Sequence, residues 1–97
     1  MRAYELLFFV DPTLEAEDRE TMMLRIDSTI AMQGGVIDNI DEWGRRKLAY
    51  EIDKLTDGDY TLIDFRADPS TIDEISRVLR ITDTVKRFMI VSRTDRD

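Results

Sequence analysis

The apolar residues of this chain follow two different periods, and the order of those periods limits the possible folds more than any other feature. Four segments carry the short or alternating apolar runs that are typical of strands, namely residues 4–10, 36–52, 60–67 and 84–93. A helical spacing of three and four residues instead runs from about Leu14 to Gln33. The apolar stripe of this first helix consists of Met23, Ile26 and Ile30.

A second helix is predicted to begin at Asp68–Pro69. Either Asp68 caps the helix and Pro69 is its first residue, or Ser70 caps it and Asp73 completes a capping box. The apolar stripe of this helix consists of Ile72, Ile75 and Leu79. The elements therefore follow the order strand, helix, strand, strand, helix, strand.

That order is typical of the split βαβ arrangement within the α+β class. Right-handed crossovers place both helices on one face of a four-stranded antiparallel sheet and leave the other, which we call the open face, uncovered. Because side chains alternate along a strand, the predicted helix-facing set is Leu6, Phe8, Val10, Ile63, Phe65, Phe88 and Ile90. The predicted open-face set is Glu5, Leu7, Phe9, Leu62, Asp64, Arg66, Arg87, Met89 and Val91.

Two local features interrupt the predicted strands. Glycine inside a strand pattern often marks a bulge or bend, so we expect an irregularity at Trp43–Gly44, with the Trp43 ring packed over it. The segment Lys54–Asp59 contains Asp57–Gly58, which predicts the turn of a hairpin between the second and third strands.

The composition excludes several classes of function. The 97 residues fit one domain over residues 1–97, with a short flexible tail from about residue 94. Cysteine and histidine are both absent, which removes thiol and imidazole chemistry and the commonest zinc ligands. No calcium loop and no phosphate-cradling glycine pattern occurs. We therefore expect no catalytic residue, metal or cofactor.

The location of the protein is also constrained. No apolar run approaches the roughly 20 residues of a membrane span. The first residues, Met1–Glu5, do not resemble a secretory signal, so we expect a cytoplasmic protein.

Charge is unevenly distributed along this chain, whose formal net charge is −7 at pH 7. Residues 11–27 carry six acids and two arginines, whereas residues 77–96 carry six bases and two acids. Three consecutive cations, Arg45, Arg46 and Lys47, stand within the second strand, so at least one of them points away from the core. Such cations either blunt an exposed strand edge against aggregation or contact nucleic acid. A second basic cluster favours nucleic acid and consists of Arg77, Arg80, Lys86, Arg87 and Arg93.

The basic trio belongs to a longer motif. The run Gly44-Arg45-Arg46-Lys47-Leu48-Ala49-Tyr50-Glu51-Ile52, preceded by Glu42 and Trp43, resembles the signature of the bacterial small-subunit ribosomal protein six family. The resemblance spans nearly the whole chain and includes Met1–Glu5, Gly58–Tyr60, Val78–Ile81 and Val85–Met89. Two positions depart from the family pattern, since Glu51 stands where proline or lysine is common and Lys47 where a polar residue or arginine is usual.

The resemblance implies a ferredoxin-like fold and a structural component of the small ribosomal subunit rather than an enzyme. It implies binding to the central domain of the small-subunit ribosomal RNA together with small-subunit ribosomal protein eighteen. We expect neither a small-molecule substrate nor a membrane as a partner. We expect phosphate contacts from Arg45, Arg46, Lys47, Lys86 and Arg87, and weaker ones from Arg2, Arg80 and Arg93. The open-face residues expected to contact a partner are Leu7, Phe9, Leu62 and Met89.

Two other functions remain open on the sequence. A ferredoxin-like regulatory or ligand-binding module would form a homodimer through its sheet edges or its open face. An acylphosphatase-like hydrolase of the same architecture would need a phosphate-binding loop, which the sequence lacks.

Overall fold

Six helices and strands follow one another in the predicted order in the structure, a computed structural model that describes residues 1–97. They are β1 (Arg2–Val10), α1 (Ala16–Met32), β2 (Val36–Ile52), β3 (Leu55–Ala67), α2 (Ile72–Arg80) and β4 (Arg87–Ser92). Short 3-10 turns occur at Pro69–Thr71 and Thr94–Arg96. Neither α1 nor α2 is long and apolar enough to cross a lipid bilayer.

The four strands form one antiparallel sheet in the order β2-β3-β1-β4. All seven residues of the predicted helix-facing set belong to the core or pack against it, so the predicted face assignment is confirmed. The core cluster consists of Tyr4, Leu6, Phe8, Val10, Met22, Ile26, Ile30, Ile63, Phe65, Ala67, Ile75, Leu79 and Val85. The predicted α+β fold with both helices on one face is likewise confirmed.

The apolar stripe of α1 differs from the predicted one by a single residue. Met22 is 2% exposed and lies in the core with Ile26 and Ile30, whereas Met23 is only partly buried. Residues four apart lie on one side of a helix, so Met22, Ile26 and Ile30 form the row that meets the sheet. Met23 is one position further around the helix and lies at the margin of the core.

The start of the second helical segment follows the first of the two predicted alternatives. The Asp68 carboxylate accepts hydrogen bonds from the backbone N–H of Ser70, at 3.1 Å, and from its hydroxyl, at 3.1 Å. Pro69 is then the first residue of the 3-10 turn that leads into α2. The bond from the Ser70 N–H holds the pKa of Asp68 below its ordinary value.

The turn between β2 and β3 is not where the sequence predicts it. Asp57 and Gly58 lie within β3, opposite Lys47 and Arg46, and the chain reverses instead at Asp53–Lys54. Asp53 and Lys54 have φ values of +49° and +65°, the left-handed conformation that two-residue hairpin turns require. The predicted strand 60–67 therefore begins earlier, at Leu55, and the hairpin is longer than expected.

The last strand and the residues after it also differ in extent from the prediction. β4 spans Arg87–Ser92 rather than residues 84–93. The tail expected from about residue 94 folds into the 3-10 turn, and the Asp97 carboxylate accepts a hydrogen bond of 2.6 Å from the Ala3 backbone N–H. The flexibility of this tail stays a prediction.

Candidate nucleic-acid and partner interface

The open face carries rows of side chains that cross the sheet, because residues opposite each other in antiparallel strands point to the same side. The row near the end of β1 contains Arg87, Phe9 and Tyr60. The middle row contains Met89, Leu7 and Leu62, and the third row contains Val91, Glu5 and Asp64. We call the end of the sheet at the first row the hairpin end, because β2 and β3 continue past β1 there. The end at the third row is the opposite end.

A bulge in β2 places an aromatic side chain at the hairpin end. Glu42 pairs with Thr61 and Gly44 with Tyr60, so Trp43 is an extra residue in the ladder. Gly44 has a φ of +80°, which only glycine adopts without steric cost. The centroids of the Trp43 and Tyr60 rings are 6.2 Å apart, so the predicted irregularity and the packing of Trp43 over it are both confirmed.

The three consecutive cations are divided between the two faces of the β2–β3 hairpin. Arg45 lies opposite Asp59 and Lys47 opposite Asp57, which puts Arg45 and Lys47 on the same side. Arg46 lies opposite Gly58, on the other side. A Cβ atom on Gly58 would be 2.7 Å from the Phe9 ring, so this other side is the open face.

Only some of the cations lack an acidic partner. Of the 14 lysine and arginine residues, eight form ion pairs with carboxylates. Arg45 is one of these, since its Nη2 lies 2.8 Å from Oδ2 of Asp57. The other six, which we call the unpaired cations, are Arg25, Arg46, Lys47, Lys54, Arg80 and Lys86.

Two unpaired cations and two aromatic rings line one shallow cavity of about 420 Å³ at the hairpin end. We call this cavity the aromatic pocket, and its lining consists of Trp43, Arg46, Lys47 and Tyr60. The Tyr60 ring packs in turn on Phe9, with centroids 5.2 Å apart. Because Phe9 is only 4% exposed, the pocket rests on a buried aromatic side chain.

Three members of the second basic cluster, Arg80, Lys86 and Arg87, lie at the same end of the sheet, on the β4 side. Arg80, Lys86 and Arg87 line a common depression, and the Lys86 N–H donates to the Phe9 carbonyl at 3.0 Å. Arg87 Nη1 lies 3.5 Å from Asp53 in the hairpin turn, a loose contact on the exposed surface. With strands about 4.8 Å apart, β4 lies roughly 14 Å from β2, so one RNA strand can reach both clusters.

The remaining predicted RNA-contacting residues, Arg2 and Arg93, lie at the opposite end. Arg2 begins β1, roughly 24 Å from Phe9 along the strand, and its Nη1 is 3.2 Å from Asp97. Arg93 forms ion pairs with Asp95 and Glu5, and these two carboxylates raise the pKa of its guanidinium. The eight predicted residues therefore do not form one patch.

The predicted partner-contacting residues are on the open face but differ in exposure. Met89 is 54% exposed, and Leu7 and Leu62 beside it are half-buried. The prediction that Phe9 contacts a partner does not fit the structure. Phe9 is buried beneath Tyr60 and closely approached by Gly58, so it has no accessible surface for a partner. The accessible apolar row is therefore Met89, Leu7 and Leu62.

Comparison with known proteins assigns the chain to a family. The sequence model of the family described as ribosomal protein S6 matches residues 3–92. The chain belongs to the ribosomal protein S6 family. Members of this family are structural proteins of the small ribosomal subunit and not enzymes.

Individual S6 proteins resemble the chain over nearly its whole length. Small ribosomal subunit protein bS6 of Clostridium novyi is 50% identical over 92 residues, which cover 95% of this chain and 97% of the relative. The bS6 protein of Clostridium botulinum strain Hall is 46% identical over 93 residues, covering 96% and 99%.

Solved structures support both the family and the fold. The crystal structure of 30S ribosomal protein S6 from Thermotoga maritima matches with a TM-score of 0.89 and 37% identity, over 97% of this chain and 89% of that one. The P2 domain of the chemotaxis kinase CheA, solved with the response regulator CheY, matches with a TM-score of 0.60 over 95% and 98%, at 8% identity. The CheA match shows a shared fold alone.

Two residues of the site, Trp43 and Tyr60, are absent from the sequence-based candidates for RNA or partner contact. Tyr60 lines the aromatic pocket and connects Trp43 to Phe9, but its position in β3 depends on pairing with a distant segment of β1. The alternation of β1 and β3 gives the face on which Tyr60 lies, and Gly44 predicts the bulge, whereas the contact between Trp43 and Tyr60 depends on the pairing of β2 with β3.

Proposed function

We propose that the chain binds the central domain of the small-subunit ribosomal RNA together with small-subunit ribosomal protein eighteen. The observation that carries this proposal is the grouping of unpaired cations. Four of the six, Arg46, Lys47, Arg80 and Lys86, line the two cavities at the hairpin end, and a fifth, Lys54, lies in the turn of the hairpin itself. In a chain of net charge −7, these positions offer an RNA phosphate a positive charge that no carboxylate of the chain compensates.

The number of these cations sets the expected strength of RNA binding. Four phosphate contacts give a plot of log affinity against log salt a slope of about −3 to −4. That electrostatic contribution is modest, and the negative charge elsewhere on the chain opposes it. We therefore expect the chain alone to bind RNA weakly and a basic partner to supply the remaining charge.

The open face supports the protein half of the proposal. Met89, Leu7 and Leu62 form an apolar row that no helix covers. An exposed apolar row on an acidic protein suits a basic companion, because the net charges attract while the apolar side chains bury each other. We place small-subunit ribosomal protein eighteen there, in a complex located on ribosomes in the cytoplasm.

The direct test is filter binding of the chain plus its partner to central-domain RNA across a salt series. Arg46→Ala should weaken binding by about 10-fold, as expected for one lost charge-assisted contact, and should lower the salt slope by about 1. Arg87→Ala should act in the same direction, and less strongly because Arg87 already contacts Asp53. The matched control is Arg25→Ala, which removes an unpaired cation from α1, on the helix-covered side of the sheet and outside both cavities of the hairpin end.

Two outcomes would contradict the proposal. If Arg46→Ala and Arg87→Ala both leave affinity and salt slope at the values of Arg25→Ala, the assigned RNA-contacting residues are wrong. If light scattering shows a stable homodimer that has no affinity for RNA, the chain is instead the regulatory module that the sequence left open.

A further inference from the structure

Trp43 exposes more of its surface than its role in the bulge requires. The sequence predicts only that the ring packs over the bend, and contact with Tyr60 provides that packing. Yet 41% of Trp43 remains accessible to solvent, beside a cavity. A large apolar ring exposed at a cavity is a surface on which a flat ligand can stack.

The aromatic rings of the pocket are held in place from below. Phe9 is buried, Tyr60 packs on Phe9, and Trp43 packs against Tyr60 with an interplanar angle of 30°. Pairing of Glu42 with Thr61 and of Gly44 with Tyr60 holds the backbone on both sides of Trp43. A stacking surface that is rigid before binding loses little conformational entropy when a ligand arrives.

The charge at the pocket is positive because nearby carboxylates already have partners. Asp57 pairs with Arg45 and Asp59 pairs with Arg19, which leaves Arg46 and Lys47 uncompensated. Glu42 lies opposite Thr61, on the helix-facing side of the sheet. Asp41 lies opposite Leu62 in the next row of the open face, so an anion would be held on the Arg46 side of Trp43.

We propose that the aromatic pocket binds one unpaired nucleotide of the RNA, with its base stacked on Trp43 and its phosphate held by Arg46, while Lys47 adds positive charge from the other side of the hairpin. This inference rests on the proposed function and adds to it the kind of RNA that this end of the sheet recognises. The cavity of about 420 Å³ lies within the range of small-ligand sites. The two uncompensated cations favour an anionic nucleotide over a segment of a basic protein.

Stacking on Trp43 predicts a preference for single-stranded RNA without a strong preference for base identity. A base within a duplex already has neighbours on both faces, whereas an unpaired base presents a free face to an aromatic side chain. Every base has such a face, so sequence tolerance is expected.

The chain offers a specific probe, because Trp43 is its single tryptophan. Replacing it with 5-fluorotryptophan gives one fluorine resonance, which can be followed in the free chain, with partner protein and with RNA. We expect a seven-nucleotide oligouridylate at low salt to shift this resonance with the same concentration dependence as its binding. A blunt RNA duplex of equal phosphate number should produce a much smaller shift.

Substitution provides a second test in the complete complex with partner and central-domain RNA. Trp43→Leu should weaken RNA binding by about 5- to 150-fold, the range for loss of one stacked base, and should leave the salt slope unchanged. Trp43→Phe keeps an aromatic face and should recover part of the affinity. The matched control is Tyr50→Leu, since Tyr50 is a 73% exposed aromatic side chain of the same strand.

The outcomes separate this inference from the proposed function. If RNA binds the wild-type complex, but Trp43→Leu and Trp43→Phe both bind equally well and the fluorine resonance does not move, the stacking inference is wrong and RNA binding stands. If partner protein alone shifts the resonance and RNA adds nothing, the pocket contacts protein and the inference is also wrong. If the wild-type complex binds no RNA at all, the proposed function itself fails.

Discussion

The two ends of the sheet contain similar numbers of cations, which differ in their contacts. At the hairpin end, Arg46, Lys47 and Lys86 have no acidic partner, and aromatic rings stand beside two of them. At the opposite end, Arg96 contacts Asp64 at 2.6 Å, and Arg2 and Arg93 also form ion pairs. The first end is available to an external anion, while the second is neutralised within the chain.

This difference shows that the number of cations in a segment does not give the number that lack an acidic partner. Residues 77–96 are the most basic part of the sequence, yet two of their arginines, Arg93 and Arg96, hold the last residues against β1 and β3. Whether a cation is paired depends on the position of the nearest carboxylate, which only the fold determines.

The largest effect that we predict concerns the hairpin end, where the Gly58 backbone is in close contact with the Phe9 ring. Gly58→Val should lower the free energy of unfolding by about 1–3 kcal/mol, because its Cβ would lie 2.7 Å from Cδ1 and 2.8 Å from Cγ of the buried Phe9. Urea unfolding followed by circular dichroism measures this loss. The control is Gly44→Ala, where nothing lies within 4 Å of the new Cβ and the positive φ alone costs about 1 kcal/mol.

At the opposite end, Arg93→Ala should destabilise the fold, whereas Arg46→Ala should leave stability unchanged. Without Arg93, the Glu5 carboxylate loses an ion-pair partner, and the exposed fraction of its side chain is only 16%. The loss should be smaller in about 1 M NaCl, because salt screens the charges involved. Equal urea midpoints for the two variants would contradict the view that cations stabilise the fold at the opposite end and not at the hairpin end.

Acid should weaken the opposite end through a specific carboxylate. The Arg66 guanidinium hydrogen-bonds the Asp38 carboxylate and holds the pKa of Asp38 below its ordinary value. A lowered pKa in the folded state gives stability that is present above the unfolded pKa of about 3.9 and is lost as pH falls through the folded pKa. At pH values below about 4, the unfolding midpoint of Asp38→Asn should therefore depend less on pH than that of the wild type. Asp41→Asn is the control for the loss of one negative charge.

The smallest predicted effect lies in the core between the ends. The Thr61 hydroxyl is buried without a hydrogen-bond partner, and the residue is 1% exposed. Thr61→Val replaces this hydroxyl with a methyl group of similar size, so stability should stay equal or rise slightly. A drop in the urea midpoint would mean that the hydroxyl has a partner after all. RNA affinity should be unchanged, since neither end of the open face is altered.

Most of the architecture follows from local sequence patterns. The alternation in β1 and β3 gives the correct helix-facing residues, and Gly44 marks the bulge because a strand otherwise disfavours glycine. The errors come from features that depend on a single residue or dipeptide. Met22 and Met23 are equally apolar, and Asp57–Gly58 is a stronger turn signal than Asp53–Lys54, where the chain reverses.

The ion pairs could not be predicted in the same way. Arg93 and Glu5 are 88 residues apart in the sequence, and they meet because β1 and β4 are adjacent in the sheet. Local pattern gives each side chain a face, but pairing between distant strands decides which carboxylate a cation contacts. Sequence therefore identified the candidate cations, and the fold divided them between the two ends.

We propose that the unpaired cations at the hairpin end bind RNA and that the basic residues in general do not. The most direct test compares two double variants that each remove two cations, Arg46→Ala with Lys86→Ala and Arg93→Ala with Arg96→Ala, in salt-dependent binding of the complex to central-domain RNA. We expect the first pair to lower the magnitude of the salt slope by about 2 and the second to leave it unchanged. Equal reductions in both variants would contradict the proposal.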